Sequence, residues 1–252
     1  MNLLKVEISS YPKSGNTWFR HLVESALREN FDINYLPIDI HEKGFSEKKN
    51  ESICDFEGRD FFIYKSHILN NNMEKPNKII HIYRHPLDVF LSALNYLYHQ
   101  SDKFSEERKR QLFLNGVPKG VDKIVEDSQL DHYFEEYLNT VGENFWPGML
   151  SEKSNYFEYN LSAIQLDNVI SVKYEDLIQN PKQITLEVLN ATFGTDDFTE
   201  LNVNSVDSKT KNSGNKKFYW KSKAENFKSY LTEEQIKKFS RKYETQLKAL
   251  GY

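Results

Sequence analysis

Four short segments of the chain, each directly after an apolar run, carry the side chains that could do chemistry. They contain Lys13, Lys65, His67, Arg84 and Tyr174. Lysine and arginine bind phosphate or sulfate oxygens, and arginine can do so through two parallel hydrogen bonds. Histidine, with an ordinary pKa of about 6.5, exchanges protons near neutral pH. This set of side chains favours an anion-binding site with a group that can act as a base.

The apolar runs that precede these segments are predicted to be β-strands. They are short, rich in β-branched or aromatic residues, and cover residues 3–9, 61–65, 78–83 and 169–173. Three of them are followed by apolar residues at helical spacing. The three predicted helix faces are Phe19, Leu22, Val23, Ala26 and Leu27; Leu87, Phe90, Leu91, Leu94 and Tyr98; and Ile184, Val188, Leu189 and Phe193, with Gly194 as the stop.

Strands that alternate with helices predict an α/β fold, with a central parallel β-sheet flanked by helices. Ligands of such sheets bind beyond the carboxyl ends of the strands, so the four segments should meet at one edge. Further helices are predicted over 104–114, 129–141, 152–164 and 232–250, the last capped by Thr232. The polar stretch 202–217 is expected to be a long loop or lid. No break in composition divides the chain, so we expect a single domain over residues 1–252.

The first of the four segments is expected to bind a phosphate-type anion through a P-loop-like turn. Gly15 permits close approach of the backbone, and the residues after it open a helix whose N–H groups and dipole favour an anion. Lys13 adds a positive charge. The order of residues is not the Gly-x-x-x-x-Gly-Lys-Ser/Thr of Walker A loops, so magnesium-dependent ATP hydrolysis is disfavoured. An ordinary strand-to-helix turn is the alternative interpretation.

Length and composition exclude several classes of protein. The 252 residues include 14% aromatic side chains, too many for a disordered chain, and a single cysteine, Cys54, which excludes an internal disulfide framework. The net charge of −4 argues against a nucleic-acid-binding domain, and no His, Asp or Glu spacing suggests a metal site. No stretch approaches the roughly 18 apolar residues of a membrane span, and none is typical of a signal peptide. A cytoplasmic protein is therefore expected.

Charge is unevenly distributed along the chain. Residues 209–248 contain 12 Lys and Arg against 4 Asp and Glu, a local charge of +8, so the remainder carries −12. Two interpretations are open. One is a solvated basic helix face, which charge alone favours, and the other is an anion-binding segment.

Together the four segments resemble those of sulfotransferases that use 3′-phosphoadenosine 5′-phosphosulfate (PAPS). Residues 11–18, Tyr-Pro-Lys-Ser-Gly-Asn-Thr-Trp, resemble the family's 5′-phosphosulfate loop, and residues 84–92, Arg-His-Pro-Leu-Asp-Val-Phe-Leu-Ser, resemble its 3′-phosphate segment. Lys-Ser-His at 65–67 resembles the strand end that carries the catalytic histidine. Val-Lys-Tyr-Glu-Asp-Leu at 172–177, with Asn-Pro-Lys at 180–182, resembles the segment near the adenine. The four elements stand in the family's order along essentially the whole chain.

The resemblance implies transfer of the sulfuryl group from PAPS to a hydroxyl or amine, which leaves adenosine 3′,5′-bisphosphate (PAP), without a metal. His67 would be the general base, Lys13 would stabilise the leaving group, and Lys65 would contact the sulfuryl or 5′-phosphate oxygens. The residues expected to be catalytic are His67, Lys13, Lys65 and Ser92. The residues expected to bind the nucleotide are Lys13, Ser14, Gly15, Asn16, Thr17, Trp18, Arg84, Ser92 and Tyr174, with Trp18 and Tyr174 flanking the adenine and Arg84 and Ser92 on the 3′-phosphate.

Several of these residues have a second interpretation. Trp18, at helical spacing with Leu22, could instead be a core residue. The sequence alone makes Ser92 a mid-helix serine, so its role depends on the resemblance. His81 alternates within a predicted strand and is expected in the core, whereas His85 beside Arg84 is ambiguous.

The C-terminal region departs from the family's pattern. The family often has an Arg-Lys-Gly run about five residues before a Trp-Lys pair. Here Trp220 and Lys221 form the pair, but residues 211–219 contain no such run. The residues expected to meet the 3′-phosphate in its place are Ser213 and Gly214, through their amides, and Lys216 or Lys217.

The sequence says less about the acceptor site than about the nucleotide site. Candidate pocket residues are Tyr96, Phe145 and Trp146, with the stretch 202–217 as a lid. An acidic body repels polyanions, so a small hydroxylated molecule is the expected partner, with no nucleic acid or membrane. The chain could form a homodimer. Two other functions stay open: a nucleotide-kinase-like phosphoryl transferase, which would need Mg²⁺ and a γ-phosphate site, and a non-catalytic nucleotide-binding module.

Overall fold

The computed structural model describes the chain in several stretches, which fall into two compact units. Described are residues 3–31, 54–56, 59–68, 76–100, 105, 107, 120–143, 145–146, 150, 154–211, 221 and 223–252. One unit is drawn from Met1–Tyr83 and Ala163–Gly214, and the other from Arg84–Ser162 and Asn215–Tyr252.

Strands and helices alternate along the described residues. The strands are β1 Leu4–Ser10, β2 Cys54–Phe56, β3 Arg59–Ser66, β4 Lys78–Tyr83 and β5 Val169–Lys173. The helices are α1 Asn16–Asn30, α2 Pro86–Gln100, α3 Val121–Glu126, α4 Leu130–Thr140, α5 Tyr156–Ala163, α6 Tyr174–Gln179, α7 Pro181–Phe193, α8 Val203–Lys211, α9 Glu233–Lys242 and α10 Glu244–Ala249, with a 3₁₀ turn at Asn226–Ser229.

A β-sheet organises the first unit. Among the described residues it has five strands in the order β2-β3-β1-β4-β5, and β1, β3, β4 and β5 run parallel. The four predicted strands are confirmed to within two residues at each end. The sequence did not reveal β2, a three-residue strand that pairs antiparallel with the outer side of β3. The predicted α/β fold with a parallel sheet flanked by helices is confirmed.

The register of the sheet brings the carboxyl ends of its parallel strands to one edge. Ser9 of β1 stands opposite Ser66 of β3, and Tyr83 of β4 stands opposite Lys173 of β5. The residues that follow β1, β3 and β5 therefore emerge at the same edge of the first unit. This edge is where the sequence placed three of its four chemical segments.

Helix α1 covers the sheet with the apolar face that the sequence predicted. Its five members, Phe19, Leu22, Val23, Ala26 and Leu27, are fully buried. In α7, Val188, Leu189 and Phe193 are buried, and Gly194 ends the helix at a φ of 69°. Both predicted faces are confirmed, although Ile184 of α7 is only partly buried.

The second unit has a core of aromatic rings. Tyr137 of α4 lies stacked against Phe90 of α2, with ring centroids 4.6 Å apart, and against Phe239 of α9 at 6.0 Å. Most of the predicted face of α2 is fully buried in this unit. Tyr98 is the exception: it is 41% exposed, and its ring lies over Gly120.

Two predictions about the C-terminal third were wrong in part. The stretch 202–217 was expected to be a loop, but its first part is the helix α8, in which Asn202 Oδ1 accepts the Ser205 N–H at 3.0 Å and Val206 is buried. The helix predicted over 232–250 is two helices that meet at Tyr243, whose φ of −118° leaves the helical range. Its predicted start is confirmed, since Thr232 and Gln235 form a capping box.

The other predicted helices have mixed outcomes. Helix α4 matches the prediction over 129–141 to within one residue at each end, and α5 covers residues 156–163 of the prediction over 152–164. The prediction over 104–114 lies outside the described residues apart from 105 and 107, and so does the 212–217 part of the proposed lid.

Candidate functional site

The loop between β1 and α1, residues 11–15, has a backbone that alternates in handedness. Lys13 has a φ of 74° and Gly15 a φ of 105°, while Ser14 between them has a negative φ. A non-glycine residue in the left-handed region costs about 1–2 kcal/mol, so such residues concentrate at functional sites. Alternating handedness turns successive N–H groups toward one side and forms an anion-binding concavity. The β1–α1 loop has this geometry.

Buried polar atoms of the β1–α1 loop and its flanks lack protein partners. Among the described residues, Ser10 Oγ, Ser14 Oγ and Asn16 Oδ1 are buried without a hydrogen bond. Leaving such an atom unsatisfied costs about 1–3 kcal/mol. Helix α1 also starts without a side-chain cap, so its first N–H groups lack the usual acceptor. An oxygen-rich ligand at this end of α1 would satisfy donors that the protein does not.

Tyr174 packs directly on Gly15. A Cβ built at Gly15 would lie 2.6 Å from Cε2 of Tyr174 and closer still to its Cδ2, so only glycine fits between ring and backbone. Tyr174 is the first residue of α6, just beyond β5, and it is 5% exposed. The structure therefore brings the first and the fourth chemical segments into contact.

Trp18 and Tyr174, the expected adenine pair, meet edge to face. Their ring centroids are 6.3 Å apart and their planes make an angle of 70°. Two rings at this angle cannot both stack in parallel on one base. Trp18 Nε1 donates a hydrogen bond of 3.1 Å to Asp207 of α8, and Trp18 is 9% exposed, so it belongs to the edge of the core as well. Asp207 was missed in the sequence because α8 was taken for a loop.

His67 stands one residue beyond β3, with its ring oriented by β1. Its Nδ1 lies 2.8 Å from the Ser10 carbonyl oxygen. A carbonyl can only accept, so Nδ1 carries the proton and Nε2 keeps its lone pair. Nε2 is therefore the atom of His67 that can take up a proton.

The surroundings of His67 hold the ring neutral. Burial is the main cause that lowers its pKa to about 3, and the charges of Lys65, Arg20 and Lys13 add to it. The Ser10 hydrogen bond acts in the opposite direction. The expected cations Lys13 and Lys65 thus lie close enough to His67 for their fields to be felt there.

His67 should not titrate between pH 5 and 8. Its imidazole 1H-13C NMR signals should stay constant over this range, and in the urea-unfolded protein they should titrate near 6.5. The unfolded chain then binds a proton that the folded chain does not, so the contribution of His67 to the free energy of unfolding is present above pH 6.5 and lost as the pH falls toward 3. A titration near pH 6.5 in the folded protein would contradict this environment.

Arg20 is a charged group of this region that sequence reasoning missed. It lies in α1, is 4% exposed, and its Nη2 is 3.5 Å from Thr17 Oγ1. In the sequence it stands among the apolar residues of the predicted helix face, between Phe19 and Leu22. The signal was its position, three and four residues after Thr17 and Asn16, which puts it on the side of α1 where the helix begins.

Arg84, the first residue of the third chemical segment, lies in the second unit. It is 8% exposed, its Nη2 lies 3.2 Å from Asp88 Oδ2, and the same nitrogen donates to the Lys223 carbonyl at 2.6 Å. Burial raises the pKa of Asp88, and the nearby Arg84 opposes the shift. The Arg84 backbone is also held, because the Tyr156 hydroxyl donates to its carbonyl oxygen. Ser92 lies two turns further along α2 and is partly exposed.

His81, the predicted core histidine, and the ambiguous His85 both have structural contacts. His81 of β4 is fully buried, lies 3.4 Å from Ser171 Oγ and stacks on Tyr83, as expected for a core residue. His85 stacks on Phe227, with ring centroids 4.3 Å apart.

The basic C-terminal helices are largely neutralised by carboxylates. Lys237 pairs with Glu233 at 3.1 Å, and Lys238 pairs with Glu135 at 2.6 Å. Exposed pairs of this kind are typical of a solvated helix face, so the structure favours that interpretation for α9 and α10. Four of the residues expected at the 3′-phosphate lie outside the described residues. They are Ser213, Gly214, Lys216 and Lys217.

The acceptor candidates divide into core and surface. Phe145 and Trp146 are 1% and 3% exposed, so both belong to the aromatic core of the second unit. Tyr96 is partly exposed and lies 5.7 Å from Trp146 between ring centroids. Within the described part of the chain, no group of His, Cys, Asp and Glu could hold a metal ion. None of the described helices is long and apolar enough to cross a membrane.

Comparison with known proteins gives relatives along the whole chain. Flavonol 3-sulfotransferase of Flaveria bidentis is 26% identical over 98% of this chain and 82% of its own. Flavonol 4′-sulfotransferase of Flaveria chlorifolia is 24% identical over 98% of this chain and 80% of its own.

Solved structures share the fold. A mouse sulfotransferase complexed with PAP has a TM-score of 0.58 at 17% identity, over 97% of this chain and 84% of its own. A retinol dehydratase in complex with androsterone and the inactive cofactor PAP has a TM-score of 0.55 at 18% identity, over 97% and 80%. The profile of the sulfotransferase domain family matches residues 4–251. Since that match spans nearly the whole sequence, the chain belongs to the sulfotransferase domain family.

Proposed function

We propose that this protein transfers the sulfuryl group of PAPS to a hydroxyl or amine of a small molecule. The observation that carries the proposal is the β1–α1 loop beside His67. In one unit, a turn of alternating handedness, an uncapped helix start and the buried Ser14 hydroxyl adjoin a neutral histidine oriented by Ser10. The loop suits a phosphosulfate, and the histidine suits proton removal.

The residues present fit the 5′-phosphosulfate group of PAPS. The N–H groups at the start of α1 and the hydroxyls of Ser14 and Thr17 would bind its oxygens, with Gly15 leaving room for the backbone to approach. Lys13 and Lys65 would supply charge. Trp18 and Tyr174 would contact the adenine, one by its face and the other by its edge, as their 70° angle requires.

Proton transfer is assigned to Nε2 of His67. The acceptor hydroxyl gives its proton to Nε2 as its oxygen forms a bond to sulfur, and the bond from sulfur to the 5′-phosphate oxygen breaks. Lys13 would stabilise the charge that develops on that leaving oxygen, and Lys65 the charge on the sulfuryl oxygens. The lowered pKa of His67 leaves the ring unprotonated near neutral pH, and the negative charge of a bound phosphosulfate would offset the nearby cations that lower it.

The 3′-phosphate is assigned to Arg84 and Ser92. Arg84 would hold it by charge-assisted hydrogen bonds, with Ser92 as a second donor. The C-terminal residues Ser213, Gly214, Lys216 and Lys217 complete this proposal. It would give the protein a preference for nucleotides that carry a 3′-phosphate.

A hydroxylated aromatic or alicyclic molecule is the proposed acceptor. Two relatives along the whole chain are flavonol sulfotransferases, and a structural neighbour holds androsterone. These names support phenols and hydroxysteroids as the first compounds to screen. The net charge of −4 also favours a small, weakly charged acceptor over a polyanion.

The test is a transfer assay with ³⁵S-labelled PAPS and a panel of phenols, alcohols and amines, in EDTA. We expect labelled product without added metal, and PAP should compete with PAPS more strongly than ATP does. Turnover that requires ATP and Mg²⁺ would support a phosphoryl transferase instead. Nucleotide binding with no transfer to any acceptor would support a non-catalytic binding module.

A further inference from the structure

Asp88 is a buried carboxylate of the second unit. It lies in the first turn of α2, one turn after Arg84, and it is 1% exposed. Buried carboxylates are rare in proteins unless they are paired, since burying an unpaired charge is costly. The contacts of Asp88 therefore indicate what it is there to hold.

The Asp88 carboxylate divides its two oxygens between two parts of the unit. Oδ2 lies 3.2 Å from Nη2 of Arg84. Oδ1 accepts the backbone N–H of Phe227 at 2.9 Å, and the N–H of Glu225 also donates to the carboxylate. One side chain thus joins the Arg84 guanidinium to the backbone that precedes α9.

Arg84 also contacts the C-terminal backbone directly. Its Nη2 donates to the carbonyl of Lys223 at 2.6 Å, two residues before Glu225. The guanidinium is therefore hydrogen-bonded to the C-terminal backbone and ion-paired with Asp88 through the same nitrogen. A planar guanidinium fixed at one nitrogen in this way has its remaining N–H groups in set directions.

We propose that Asp88 is a positioning residue that orients Arg84 for the 3′-phosphate and ties this orientation to residues 223–227. The inference rests on the proposed function, in which Arg84 binds the 3′-phosphate. Asp88 does not touch the nucleotide in this arrangement, because Oδ1 accepts the Phe227 N–H and Oδ2 forms an ion pair with Arg84 Nη2. Its charge and its place hold Arg84 in one pose before the nucleotide arrives, and preorganised contacts strengthen binding.

The test compares two ligands that differ only in the 3′-phosphate, PAP and adenosine 5′-monophosphate. Isothermal titration calorimetry gives the ratio of their affinities for the full chain and for Arg84→Met, Asp88→Asn and a matched control, Asp131→Asn. The control removes a carboxylate that accepts from Gln235 in the same unit, away from Arg84. Thermal unfolding of each variant monitors the fold.

We expect Asp88→Asn to reduce the preference for PAP about tenfold or more while the affinity for adenosine 5′-monophosphate changes little. Asp131→Asn should keep the preference. Arg84→Met should lose the preference. The double variant Arg84→Met/Asp88→Asn should show the same ratio of affinities as Arg84→Met alone, because Asp88 acts through Arg84.

Each other outcome overturns a distinct claim. If Arg84→Met loses the preference and Asp88→Asn keeps it, Asp88 has no positioning role. If Asp88→Asn weakens both nucleotides equally, its role is structural only, and the inference fails. If Arg84→Met keeps the preference, the proposed location of the 3′-phosphate is wrong. Should Asp88→Asn not fold, Asp88→Glu, which keeps the charge but displaces the oxygens, is judged by the same ratio.

Discussion

Replacing His67 with asparagine should lower kcat for sulfuryl transfer by about 10²- to 10⁴-fold, the usual contribution of a general base. Asparagine has an amide N–H near the position of Nδ1, so it can keep the hydrogen bond to the Ser10 carbonyl. It has no counterpart to Nε2, the atom assigned to take the acceptor's proton. PAP affinity should change by no more than a few fold, because the β1–α1 loop is untouched. Initial rates at saturating PAPS and calorimetric titration with PAP measure the two quantities.

The matched control for this experiment is His132→Gln. His132 is an exposed histidine of α4 in the second unit, so its replacement should leave kcat unchanged. A His67→Asn enzyme that keeps more than about a tenth of the wild-type kcat would remove His67 from the mechanism, since a lost general base costs far more.

Replacing Gly15 with alanine should destabilise the protein and abolish tight nucleotide binding. Two effects combine at this position. The φ of 105° is strained for any residue with a Cβ, and the new methyl group would overlap the Tyr174 ring, only 2.6 Å from its Cε2. Either the ring or the loop must move, and both are assigned to the nucleotide. We expect at least a tenfold loss of PAP affinity and a free energy of unfolding lower by more than the ~1–2 kcal/mol of backbone strain alone.

Gly194→Ala separates the two effects. Gly194 also has a positive φ, 69°, but a Cβ there meets nothing within 4 Å, so only backbone strain should be measured. In a Tyr174→Ala background, Gly15→Ala should cost less free energy of unfolding than in the wild type, with a value closer to that of Gly194→Ala. Denaturant titrations of the four variants give these differences. Equal costs for Gly15→Ala in both backgrounds would show that the tyrosine ring is not the obstacle.

The parallel strands of the sheet could be predicted because each is a local run of apolar or β-branched residues in the sequence. The runs at 78–83 and 169–173 match β4 and β5 residue for residue, since both are rich in the β-branched residues that favour strands. Strand β2 could not be found, because three residues carry too little pattern. Helix α8 was missed for a related reason: it has few apolar residues and depends on tertiary contacts, such as the bond from Trp18 to Asp207.

The site could be predicted as a set of segments but not as a geometry. Parallel-strand topology is enough to bring the segments after β1, β3 and β5 to one edge. The tautomer of His67 depends on the Ser10 carbonyl, and the buried position of Arg20 depends on how α1 packs, so neither has a local signature. The edge-to-face angle of Trp18 and Tyr174 is likewise a product of packing. Residue types and order are readable in a sequence, whereas orientations are set by contacts between distant parts of the chain.

The central place of β1 has a consequence for how the protein folds. The first strand of the chain pairs on both sides with strands that come much later, Leu4 with Phe61 of β3 and Val6 with Lys78 of β4. Such non-local pairing requires loop closure before it stabilises anything, which slows folding. The contact between Gly15 and Tyr174 can form only after Tyr174 has been synthesised, when more than half of the chain has been made. The loop synthesised first therefore reaches its working shape only after Tyr174 has been made, and a nucleotide that binds this loop would assist folding only from that stage on.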